Sequence, residues 1–237
     1  NATQSCASCH QQARAFSEAA PTATGSTGQK HHRNSMALVN VAYSTTLTWA
    51  HPGITTLEQH ALLPLFGDAP VEMGAAGHEE EILARLRSDE RYVKLFSRAF
   101  PLELNRINFD NVVKALASFT RTLISFDSPF DRYAYYGEDA ALSESQLRGM
   151  SLFMSERLEC NHCHSGFNFS QFVTHENATA AERAFHVTGL NPPSETYVAG
   201  VDYGLFSVTG DSADKDRFKA PTLRNITLTA PYMHDGS

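Results

Sequence analysis

The four cysteines of this 237-residue chain fall in two short cassettes, "SCASCH" at Ser5–His10 and "ECNHCH" at Glu159–His164. Each reads Cys-x-x-Cys-His: Cys6, Cys9 and His10 in the first, and Cys160, Cys163 and His164 about 150 residues later. Three chemistries use cysteines paired in this way. A disulfide across two intervening residues closes a very tight loop, more often redox-active than structural. A zinc site usually keeps its ligand pairs within about 12–20 residues of one another. Covalent haem needs two thiols that add to the vinyl groups, and a histidine directly after the second thiol to ligate the iron. Only the third chemistry demands that histidine, and both cassettes supply it. The spacing therefore points to two c-type haems with His10 and His164 on the irons, ahead of the disulfide and zinc readings.

With 42% hydrophobic residues the chain has material for one large domain or two small ones with real cores. Its formal charge of −7, without a basic block to neutralise phosphates, argues against a nucleic-acid partner. No apolar run approaches the ~18 residues a spanning helix needs, so no transmembrane segment is expected. Haem attachment takes place outside the bacterial cytoplasm, which makes the expected location periplasmic or exported. The start, five residues before Cys6, and the end in "PYMHDGS" read as a piece cut from a longer chain.

The elements that must position these groups are mostly helical by pattern. Across His78–Phe100, Ile82, Leu86, Val93, Phe96 and Phe100 recur at near-helical intervals behind an acidic first turn, and Ser88–Asp89 can split the stretch in two. Asn108 is placed to cap a helix carrying Val112, Val113, Leu116, Phe119 and Leu123 on one face. Ser143 and Gln146 have the spacing of a capping box for a helix leading into the second cassette. From Gly166 to Lys219 the pattern weakens, with at most a hairpin around "YVAGVDYGLFSV". The expected fold is mainly α, with two cytochrome c-like lobes, residues 1–127 and 142–237, each holding one haem. A linker is expected near 128–141, and the second lobe is cut short at its C-terminal end.

Longer runs carry a further signal. "RNSMALVNVAY", "LTWAHP", "LEQHALLPLFGDAPVEMG", "CNHCHSGFNFS" and "FKAPTLRNITLTAPYMHDGS", together with the first cassette, resemble the bacterial di-haem cytochrome c peroxidase/MauG superfamily over nearly the whole chain. "TGQKHHRNSMALVNVAY" followed by "LTWAHP" most resembles the MbnH-like branch, whose members accompany copper-associated partner proteins. The resemblance implies a first, high-spin haem where peroxide binds and a second haem that stores an oxidising equivalent. It makes Trp49, the one tryptophan, a relay between the haems; read alone, a single Trp is a core or interface residue. Glu72 in "PVEMG" matches the distal acid that moves a proton between peroxide oxygens, where a bare reading gives a solvated loop carboxylate. Asn34, with the carbonyls of Thr229 and Pro231, matches the ligands of a calcium ion.

Departures from the family pattern matter as much. The distal histidine of peroxidases that must first be reduced falls near Ser26 here, which suggests an iron already open in the oxidised protein. His31 and His32 are displaced from that position: either surface histidines or neighbours of a haem edge or of the calcium site. His60 stands where the family has a glutamine, with Gln59 beside it, and is either a second titrating group near the peroxide pocket or a rim residue. The sixth ligand of the second haem lies beyond Ser237 in the family.

The resemblance implies a di-haem oxidase that uses hydrogen peroxide, through a high-valent state of both irons, to oxidise residues of a partner protein. In the MbnH-like branch the target is a tryptophan of a copper-associated partner, taken to a kynurenine-type product. The alternative is a cytochrome c peroxidase that reduces peroxide to water with electrons from a small donor cytochrome. A non-enzymatic di-haem electron carrier is the third reading.

Overall fold

A computed structural model describes residues 3–176, 184–191, 198 and 200–237. It is mainly helical: α1 (Cys6–Cys9), α2 (Leu57–Phe66), α3 (Glu79–Ser88), α4 (Glu90–Ala99), α5 (Phe109–Arg121), α6 (Pro129–Tyr136), α7 (Glu144–Phe153) and α8 (Phe206–Thr209). A small antiparallel sheet pairs β1 (His186–Val187) with β2 (Arg217–Phe218), His186 opposite Phe218. Among the described residues no helix is long and apolar enough to cross a membrane.

Local chemistry sets the helix boundaries. Asp89 ends α3 and caps α4 by accepting the Arg91 N–H, so Ser88–Asp89 does divide the stretch. The Asn108 side chain accepts from Asn111 N at 2.8 Å and starts α5. Ser143 and Gln146 close both arms of the capping box on α7. The buried faces differ in detail from the pattern. Leu83, Phe96 and Ile107 form the cluster that Leu86, Phe100, Phe109 and Val112 pack against, whereas Val93 and Phe119 are exposed. Leu123 lies beyond the end of α5.

The chain divides into two units that are not contiguous in sequence. The first comprises Asn1–Leu38, Ile54–Thr122 and Thr229–Ser237; the second, Val39–Gly53 and Leu123–Leu228. This differs from a single boundary near 128–141. Ser128–Ala141 is folded within the second unit as α6 and a 3-10 turn, started by Ser128 capping Asp131 N and ended by Gly137 in the left-handed region. Long-range backbone bonds explain the exchange of segments. In the first unit Asn34 N–H donates to the His234 carbonyl at 2.7 Å. In the second, Thr45 N–H donates to Phe172 O at 2.9 Å and Lys219 N–H to Trp49 O at 2.7 Å.

Among the described residues of the stretch where a hairpin is expected, no strand pair is seen. Tyr197 lies outside the described residues, and the far end of that stretch turns into α8 instead. Gly204 runs so close to the Arg217 carbonyl that a Cβ there would sit 2.3 Å from the oxygen. The second unit's buried centre is Phe172, Phe185 and Leu205.

Candidate functional site

Both cassettes present their histidines in the same way. The first folds into the single turn α1, with His10 N–H returned to the Cys6 carbonyl at 2.9 Å; the second is a 3-10 turn with His164 N–H on Cys160 O at 3.0 Å. His10 Nδ1 lies 2.9 Å from the Phe16 carbonyl, and His164 Nδ1 lies 3.1 Å from the Phe169 carbonyl. A carbonyl can only accept, so each Nδ1 carries the proton and each Nε2 is left as the coordinating atom. Phe16 and Phe169 both sit at positive φ, 59° and 49°, a shared local twist at the two residues whose carbonyls fix the imidazoles. All four cysteines are free thiols. Burial, with help from Glu18, Glu72 and Cys6, pushes the Cys9 thiol up to about 11, and burial raises Cys163 too. That is opposite to the depressed value that makes a Cys-x-x-Cys pair redox-active.

The surroundings of the two cassettes diverge. In the first unit the 23–31 loop folds back on itself, with Gly25 N–H on Gln29 O and His31 N–H on Ala23 O, both at 2.8 Å. That loop grips the segment around Glu72. Ser26 N–H donates to the Glu72 carbonyl at 2.7 Å, and Gln29 Oε1 accepts from Val71 N at 3.0 Å. From the other side, Met73 and Ala75 donate to the Pro64 and Leu65 carbonyls at the end of α2, each at 2.9 Å. Gly25 is needed for this approach, because a Cβ there would lie 1.9 Å from the Val71 carbonyl oxygen. The half-buried Glu72 side chain comes within 3.4 Å of His31 Nε2. Its charge, with that of Glu18, acts on His10, where burial nonetheless wins and pulls the imidazole below its ordinary range.

Other expected residues of this unit find definite places. Gln59 is spent on the capping box of α2, its Oε1 accepting from Thr55 N and Thr56 N at 3.1 and 3.2 Å. His60, the next residue, is half-buried on the same helix. His32 is exposed. Asn34 is buried, and its amide donates to the Pro21 carbonyl at 3.0 Å. The Arg14 guanidinium reaches the Ala230 carbonyl, between Thr229 and Pro231. Asn34 and the 229–234 segment are thus brought together. Glu18 is the residue the sequence did not flag: a buried carboxylate that accepts from Ser35 Oγ at 3.1 Å and acts on Cys9 and His10. Eight residues past His10, it carries no motif that would single it out.

In the second unit the loop after the cassette is clamped by "APTLRN". Alternate residues of this extended run reach the same loop: Ala220 O accepts from Ser170 Oγ at 2.7 Å, Thr222 Oγ1 donates to Asn168 O at 2.6 Å, and Arg224 Nε donates to Phe167 O at 2.8 Å. Arg224 also forms a buried two-pronged pair with Asp131, at 2.7 and 2.8 Å. The guanidinium hydrogen bonds hold the Asp131 carboxyl down at about 2 against the opposing effect of burial. An open, mostly apolar hollow of about 280 Å³ is lined by residues including Phe130, Leu142, Gln146, Met150 and Phe153, and by Phe169, whose carbonyl holds His164. Trp49 is buried in this unit, and the Lys219 whose backbone binds it sends its own Nζ to the Thr46 carbonyl at 2.6 Å.

A family model described as di-haem cytochrome c peroxidase matches residues 1–140. Cytochrome c551 peroxidase of Pseudomonas aeruginosa is 32% identical over 98% of this chain and 62% of its own length. Methylamine utilization protein MauG of Methylorubrum extorquens is 32% identical over 98% of this chain and 59% of its own. A crystal structure of a MauG-like protein associated with microbial copper homeostasis superposes with a TM-score of 0.94 at 43% identity, covering 99% of this chain and 67% of that one. The chain spans about three fifths of the length of these two curated relatives. With two Cys-x-x-Cys-His cassettes presenting their imidazoles alike, and a family match over more than half its length, the chain belongs to the di-haem cytochrome c peroxidase/MauG family.

Proposed function

We propose that this protein is a peroxide-dependent di-haem oxidase of the MauG kind, acting on residues of a partner protein. The observation that carries the reading is Glu72, held by backbone bonds on both sides near His10, with Ser26, near the family's distal-histidine position, donating its N–H to the Glu72 carbonyl. The donor sets fit two haem c groups: in each cassette neither cysteine is spent on a disulfide, and the histidine Nδ1 is committed to a carbonyl, leaving Nε2 for the iron. Cys6, Cys9 and His10 would hold the first, and Cys160, Cys163 and His164 the second. When bound, the irons supply the centre for peroxide and the electrons that break its O–O bond.

The chain's own task is the proton. Glu72 accepts it from one peroxide oxygen and returns it to the other, which leaves as water. Trp49, with its easily oxidised indole, serves as the relay through which oxidising equivalents are shared. His60 is a further group of the peroxide pocket. Asn34, Thr229 and Pro231 bind a calcium ion, a hard cation suited to amide and carbonyl oxygens. Resemblance to the MauG-like copper-homeostasis protein favours the MbnH-like branch, a copper-associated partner as substrate and a tryptophan taken to a kynurenine-type product. The location is periplasmic or otherwise exported.

The test is to incubate the haem-loaded, full-length protein with peroxide and a copper-associated partner protein, and to weigh the partner. Oxygen added at a tryptophan supports the reading. Peroxide consumption with no change in the partner's mass contradicts it. The cytochrome c peroxidase alternative is favoured by the names of relatives such as the Pseudomonas aeruginosa enzyme. Rapid steady-state turnover with a reduced donor cytochrome would select it.

A further inference from the structure

We propose that His31 is the positioning residue of Glu72, a fixed N–H donor that orients the carboxylate for proton transfer. The inference rests on the proton role given to Glu72 above. His31 Nδ1 accepts from the backbone N–H of Arg33 at 3.0 Å. A backbone N–H can only donate, so Nδ1 is the bare nitrogen and the imidazole proton sits on Nε2. Nε2 is the atom that faces Glu72 Oε1, at 3.4 Å. At that distance the two groups are close without being hydrogen-bonded, as proton-transfer partners often are before substrate binds.

The connectivity argues that the pair is built. The 23–31 loop that carries His31 is the loop that grips the Glu72 backbone, through Ser26 N–H on Glu72 O and Gln29 Oε1 on Val71 N. One loop thus sets both the main chain of the acid and the group beside its side chain. Gly25 lets the two segments touch. The side chains are 29% and 35% exposed, and a pair at that exposure adds little to stability. Its effect is one of direction: Oε1 faces the imidazole, which leaves Oε2 to take the proton in the proposed step. His31 sits five residues beyond the family's distal-histidine position near Ser26, and here meets the acid.

Four variants of the haem-loaded, full-length protein test this by rapid mixing with peroxide: Glu72→Gln, His31→Leu, His31→Gln and the double variant Glu72→Gln/His31→Leu. Glu72→Gln is expected to slow the spectral change by ~100-fold or more. His31→Leu should slow it about 10-fold, the usual cost of losing a supporting hydrogen bond. His31→Gln, whose amide N–H reaches a similar point, should recover most of the rate. The double variant should be no slower than Glu72→Gln alone, because His31 acts through Glu72. Crystal structures give a readout independent of rate: the Glu72 carboxylate keeps its orientation in His31→Gln and turns away in His31→Leu. If Glu72→Gln slows the reaction but His31→Leu does not, or the two losses multiply in the double variant, the positioning role is overturned. If Glu72→Gln reacts at the parent rate, the proton role of Glu72 itself is wrong.

Discussion

The two cassettes share a motif and a way of holding the histidine, yet differ in everything placed around them. At the first, Glu18 and Glu72 act on the cassette and a loop–loop grip holds Glu72 in place. At the second, an extended "APTLRN" run and a buried Arg224–Asp131 pair fix the loop that fixes His164 and that helps to line an open, mostly apolar hollow. On the proposed reading, the cassette supplies attachment and the proximal nitrogen, and the neighbours set whether a proton-handling group stands beside it. That contrast suits a chain in which one iron meets peroxide and the other stores charge.

The largest effects should come from the shared part. Cys6→Ser with Cys9→Ser, and separately Cys160→Ser with Cys163→Ser, should each remove one of two covalent haems, read as the loss of one haem from the intact mass. Retention of both haems by either variant would break the symmetry. Next comes the grip on Glu72. Gly25→Ala places a carbon 1.9 Å from Val71 O, so one segment must move, and a misplacement of the acid by about 1 Å should slow the peroxide reaction on the order of 100-fold. The corresponding change at the second centre should leave that reaction's proton step alone and strike stability.

Asp131→Ala leaves Arg224 buried and uncompensated, and should cost about 3–5 kcal/mol in denaturant unfolding. Because Asp131 is held at about 2, below its unfolded value near 3.8, its contribution is full above about pH 4 and fades as pH falls through 2. That amounts to about 2 kcal/mol of acid sensitivity that Asp131→Ala should lack. Lys219 gives a signature of the same sign and comparable size at the alkaline end. Burial lowers it from 10.5 to about 8, so the unfolded chain binds more protons between those values and stability should rise with pH there, by at most about 3 kcal/mol. Lys219→Met should flatten that rise in pH-dependent melting.

What could be read from the sequence follows from how local each feature is. The cassettes, the Asn108 cap, the Ser143–Gln146 box and the Asp89 break are written within a few residues, and the structure shows those helix starts where the residues put them. Features made by distant segments were not legible. His31 meets Glu72 only because Gln29, Ser26 and Gly25 bind the 71–72 segment. Glu18 gains its place by burial against Ser35. Residues 39–53 and 229–237 join units to which their sequence neighbours do not belong, through backbone bonds that no periodicity announces. Val93 and Phe119 fit a helical stripe yet face outward, since a period gives a face and not what covers it.

The most direct test of the account is to add one equivalent of hydrogen peroxide to the fully oxidised, haem-loaded protein, without prior reduction, and follow the haem spectrum. If the first centre is open in the oxidised protein and shares charge with the second, as proposed, both haems should change together into a long-lived oxidised state. No change until one haem has been reduced would contradict it, and would make His31, His32 and His60 candidates for a distal ligand.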